Sequence, residues 1–108
     1  MISAKFFKSK GFLTGFNFSG HSGYAESGAD IVCASVSSAV QLTVNILDEL
    51  NFSPQVKVGE NSVECKVSQI TDTASRIINT LKLHFEAILQ CYSPQQEQTR
   101  YRFAGRRY

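Results

Sequence analysis

The chain is short of cysteine, has no long apolar run and carries only a weak charge imbalance, and each shortage excludes a class of function. Its cysteines, Cys33, Cys65 and Cys91, are three in number, widely spaced and without a CxxC pair, which argues against a disulfide framework and against a zinc site. No apolar stretch approaches the ~20 residues of a membrane-spanning helix, so a soluble protein without membrane contact is expected. The opening MISAKFFKSKGF interleaves lysine with phenylalanine. It lacks both a continuous apolar h-region and a small-residue cleavage site, so it does not read as an export signal and a reducing cytoplasm is the expected location. Nothing in the pattern calls for a metal or a cofactor. The formal charge is +2, too small to imply polyanion binding by itself, and no Lys or Arg lies between Lys10 and Lys57. Arg100, Arg102, Arg106 and Arg107 crowd the C-terminus, where contact with RNA is weighed against simple solvation, and solvation is the preferred reading.

What is present is an α+β pattern, read as one domain over residues 1–108. Ile2 to Lys8 and Phe12 to Ser19 form an expected β-hairpin around Ser9-Lys10-Gly11, with Phe12, Thr14, Phe16 and Phe18 on one face at period two. A glycine- and serine-rich segment, GHSGYAESG, is too flexible for either regular element and reads as a functional loop. From Ala29 to about Leu50 a helix is expected, with Val32, Val36, Ala39, Val40, Thr43, Ile46, Leu47 and Leu50 as its apolar stripe. Its nearly uncharged first half is expected to be buried on most sides, and Ser27 with Asp30 resembles a capping box. Gln55 to Gly59 and Ser62 to Gln69 form a second expected hairpin, and Thr73 to Tyr92 a second amphipathic helix. Alternation of Thr99, Tyr101 and Phe103 with charged neighbours adds a possible short last strand. The order ββαββα, with a mixed or antiparallel sheet covered by two helices, is that of a two-layer sandwich.

Chemistry centres on Cys33 and His21. A thiol attacks a carbonyl as thiolate, and the thiolate is favoured near a helix N-terminus or an imidazole. Cys33 falls in the opening turns of the first helix, and His21 enters the flexible loop that leads into it. Backbone N–H groups at the helix start are oriented to stabilise an oxyanion. Asp30 is read either as a helix-start carboxylate or as the group that orients His21. Ser37 lies one turn beyond Cys33 on the same face, positioned to hold the thiolate or to satisfy a backbone carbonyl. Cys65 and Cys91 are assigned to packing, and His84 to a half-buried structural role.

The string GHSGYAESGADIVCASVSSAV resembles the signature of the ribosomal-processing cysteine proteases of bacteria, joining GH-x-G-Y-A-x-x-G to D-I-V-C-A-x-V-S. By that resemblance Cys33 falls on the nucleophile, His21 on the base, and Asp30 and Ser37 on motif positions. Gly20, Gly23 and Gly28 fall on the loop glycines, and Ser22 stands where alanine is common. The resemblance implies a cysteine endopeptidase that removes a short N-terminal extension from a large-subunit ribosomal protein, cutting after an aromatic pair, and that forms a homodimer. The loop from 20 to 28 is expected to close on the peptide, with Tyr24 or the face of Phe16 and Phe18 supplying an apolar pocket. Two readings compete with it: a ribosome- or RNA-binding module resting on the terminal arginines, and an interaction protein in which Cys33 is inert.

Overall fold

The computed structural model describes residues 2–20 and 29–91. Its elements run β1 (Ser3–Ser9), β2 (Phe12–Ser19), α1 (Ala29–Glu49), β3 (Gln55–Val58), β4 (Ser62–Lys66) and α2 (Asp72–Cys91). The four strands form one fully antiparallel sheet in the order β1-β2-β4-β3, with the two helices on it, an α+β sandwich as expected. The expected C-terminal strand, the terminal arginines and the Ser27 cap lie outside the described residues.

Local chemistry sets each boundary. Lys10 and Gly11 both adopt positive φ, 54° and 84°, between the paired residues Ser9 and Phe12. This two-residue turn of the mirror-image type matches the twist of the strands it joins. Helix α1 ends where Asn51 turns left-handed at φ 66°. There the Phe52 N–H donates to the Leu47 carbonyl at 2.9 Å and the Asn51 N–H to the Asp48 carbonyl at 3.0 Å, so otherwise orphaned carbonyls of the last turn are satisfied. Helix α2 starts on Thr71, whose Oγ1 accepts from the Ala74 N–H at 3.1 Å, an N-cap. Its last turns carry Phe85 into edge-to-face contact with Phe18, at 5.0 Å between ring centroids.

The sheet departs from strict alternation in β2. Phe7 pairs with Gly15 but Lys8 with Leu13, so Thr14 is the extra residue of a β-bulge. The bulge shifts the phase: Leu13 is buried with Phe16 and Phe18, while Phe12 and Thr14, expected on that face, are only half-buried. Gly15 sits where β2 comes closest to β4, since a Cβ there would lie 2.4 Å from the Cys65 carbonyl oxygen. The bulged strand is fastened to α2 by the Leu13 N–H, which donates to Ser75 Oγ at 2.9 Å.

One continuous core joins Phe16, Phe18, Val36, Val40, Leu47, Cys65, Ile78 and Phe85. Helix α2 packs on β2 and on α1, whereas the backbone of α1 comes close to α2 and hardly to the strands. The first half of α1 is accordingly not buried on most sides. Val36 and Val40 are buried, but Ala34, Ser37 and Ser38 are exposed, because only one side of the helix meets the rest of the fold. His84, expected to be half-buried, is exposed on α2, on the face turned toward the cleft between the helices.

Candidate active site

Because α1 stands off the sheet, a groove of roughly 640 Å³ opens between it and the β3–β4 side. Cys33, Ser37, Gln41 and Asn45 line it from α1, successive positions one helical turn apart, with Val36, Val40 and Val44 deeper on the same wall. The opposite wall is built by Phe18 to Gly20 at the end of β2 and by Val56 to Val63 of the second hairpin, except Lys57. The wall is mainly apolar, and Glu60 is the one charged side chain among its described lining residues.

Cys33 is half-buried at this groove and reduced. Its place in the opening turns of α1 follows from the uncharged, small-residue run that starts the helix. There the partial positive charge of the unpaired N–H groups favours a developing anion. Ser37 is exposed one turn further along the same wall. Gly20 takes φ 86°, a conformation glycine adopts without a side-chain clash. Its N–H donates to the Asn61 carbonyl at 2.9 Å, which ties the exit of β2 to the tip of the second hairpin. The structure therefore brings Cys33, Ser37 and Gly20 to one groove. His21, Ser22, Gly23, Tyr24 and Gly28 lie outside the described residues. Of Asp30 the described position is its place in the first turn of α1.

The remaining described thiol behaves differently. Cys65 is fully buried in β4, and burial pushes its thiol up from 9.0 to about 11, so it stays protonated and unreactive near neutrality. The packing role expected for it is what the fold gives. The apolar pocket expected from Phe16 and Phe18 is corrected in part. Phe16 is fully buried and offers no surface, Phe18 lines the groove but is only 4% exposed, and Val56 and Val58 add exposed apolar surface to the wall. These valines and Glu60 were not singled out from the sequence. The alternation of Val56 and Val58 with Gln55 and Lys57 was legible as a strand, but not that its apolar side would remain uncovered.

A second cleft of about 760 Å³ runs between α1 and α2 along Leu42, Ile46, Thr80 and His84. It does not include Cys33. No helix of the described residues is long and apolar enough to cross a membrane.

A reduced thiol at the start of a helix, facing a groove of roughly 640 Å³ whose exposed lining is mainly apolar, suits a thiol-dependent hydrolase. The model of the cysteine protease Prp family matches residues 1–97, and the chain belongs to that family: it is a cysteine protease. No curated protein matches it. Among solved structures it is similar to the essential ribosomal processing protease Prp from S. aureus in complex with a substrate peptide. That match has a TM-score of 0.76 at 24% identity and covers 85% of this chain and 92% of that one. The same S. aureus protease with a covalently linked product peptide gives a TM-score of 0.73 at 25% identity, again over 85% and 92%. SMU.848 from Streptococcus mutans is 30% identical over 88% of each chain, with a TM-score of 0.69.

Proposed function

We propose that the protein is an endopeptidase that removes an N-terminal extension from a large-subunit ribosomal protein, with Cys33 as nucleophile and His21 as general base. The observation that carries this reading is the position of Cys33, at the start of α1 and on the wall of a peptide-sized groove. Family membership and the substrate and product peptides held by the S. aureus relative support a peptide substrate.

In this mechanism Cys33 Sγ attacks the scissile carbonyl carbon while its proton passes to His21. The tetrahedral oxyanion forms beside the backbone amides of the α1 start. The C–N bond then breaks, His21 returns the proton to the leaving amine, and an acyl-thioester remains on Cys33. Water, deprotonated by His21, attacks the thioester and releases the new carboxylate and the thiol. Asp30 orients the imidazole and Ser37 hydrogen-bonds near the thiolate. Gly20, Ser22, Gly23, Tyr24 and Gly28 shape the loop over the peptide. The protein acts in the cytoplasm as a homodimer. Exposed Leu42, Ile46 and Leu50 on α1 supply an apolar surface for the second copy.

The test is incubation with a peptide spanning the extension and its cut site, read by mass spectrometry. Wild type cleaves it, Cys33→Ala abolishes cleavage, and His21→Ala lowers the rate by roughly 10²–10⁴. An intact peptide beside a folded wild type whose Cys33 labels with iodoacetamide would overturn the substrate assignment.

A further inference from the structure

The cross-strand pairing defines two rows of side chains on the helix-bearing face of the sheet. One runs Phe6, Phe16, Cys65, Val56 and the other Ala4, Phe18, Val63, Val58. Facing residues of paired strands share a side of the sheet, so all eight belong to the layer that the helices cover. Cover runs out along each row. Phe16 and Cys65 are fully buried, but Val56 at the end of their row is 41% exposed. Phe18 is 4% exposed, and Val58 at the end of its row is 77% exposed. Both valines are core-face residues that the described helices leave exposed, because α1 leans on α2 and stands off β3. The space above them is the groove that holds Cys33 on its other wall. At its rim, on the tip of the same hairpin, stands Glu60, the single charge among the described lining residues.

We propose that the β3–β4 hairpin selects the substrate of the thiol protease. In this reading the Val56 and Val58 floor takes a bulky apolar side chain of the bound peptide, and Glu60 takes a basic residue of the same peptide. The inference rests on the protease reading above and adds to it which part of the chain discriminates among peptides. Three features commit the occupant to peptide. The floor faces Cys33 across one groove. At roughly 640 Å³ the groove is within the size range of ligand-binding clefts. The one charge among its described lining residues, Glu60, is negative, which favours a cationic partner and disfavours an acidic one. An apolar side chain entering above Val58 extends a layer that Phe16, Phe18 and Cys65 already bury at its centre, and removal of that surface from water is the driving force. Discrimination of this kind acts through the whole acyl-transfer sequence and needs no added chemistry.

The experiment uses the full chain and a library of synthetic decapeptides randomised about a fixed cut site, with cleaved products sequenced by mass spectrometry. Wild type, Val58→Ser and Glu60→Lys are compared, with Cys33 labelling by iodoacetamide alongside protection of the buried Cys65 as the folding control for each. The wild type should favour bulky apolar over small polar side chains at one position by about ten-fold and basic over acidic residues at another by about two- to five-fold. Val58→Ser should flatten the first preference and leave the second, and Glu60→Lys should invert the second and leave the first. Selective cleavage with all three profiles superimposable would overturn this inference while the protease reading stood. If the wild type cleaves nothing while Cys33 still labels, the protease reading fails and this inference falls with it.

Discussion

Cys33 and Cys65 are the same side chain in two solvents. Cys33 faces an open groove from the first turns of a helix, whereas Cys65 is sealed at the centre of the sheet and its thiol is pushed up to about 11. In the unfolded chain the Cys65 thiol returns to the ordinary 9.0, so the folded state holds this proton more tightly than the unfolded state. Stability from this source is therefore complete below pH 9.0 and falls as pH rises toward about 11. Urea melts should show a midpoint that drops across that window, with a smaller drop in Cys65→Ala; parallel curves would contradict the assignment. At this scale the sequence was informative where a residue's role depended on its immediate neighbours. The place of Cys33 at a helix start was legible because a short apolar run and a glycine-rich entry mark one, whereas its role as nucleophile came from the family resemblance. Cys65 was legible because it alternates with Glu64 and Lys66. Val58 was not, since its exposure depends on how far α1 reaches, and that is set by α1's packing on α2.

Each element was visible in outline, with its ends close to the chemical signals that cap it. Both hairpins and both helices lie within a few residues of where periodicity and turn residues place them. What periodicity missed was the bulge in β2, because an extra residue leaves no trace in composition while it reverses the inward face from that point on. Thr14 is that residue, and Gly15 beside it is the price of bringing β2 and β4 together. A methyl group at Gly15 would meet the Cys65 carbonyl oxygen at 2.4 Å and the Lys66 Cα at 3.1 Å, both main-chain atoms that move only with the strand. Gly15→Ala should therefore destabilise the fold by about 1–3 kcal/mol, measured by denaturant unfolding. A change below a few tenths would show that β2 slides to accept the methyl.

At the scale of the whole molecule, two clefts among the described residues differ in kind, one carrying Cys33 and the other lined by apolar residues of both helices. If the helix face is the homodimer contact, Leu42→Glu should shift sedimentation velocity profiles from dimer to monomer without changing Cys33 labelling. A wild type that sediments as a monomer at tens of micromolar would end that reading. The sheet raises a different question, since among the described residues β1 and β3 are both edge strands. An edge strand presents unpaired amide and carbonyl groups on which another chain can build, and β3 adds exposed valines to that template. Lys57 stands between Val56 and Val58, and exposed Lys5 and Lys8 punctuate β1. A second sheet approaching either edge would bring these ammonium groups beside their own copies, so like-charge repulsion acts as gatekeeper against fibrillar growth.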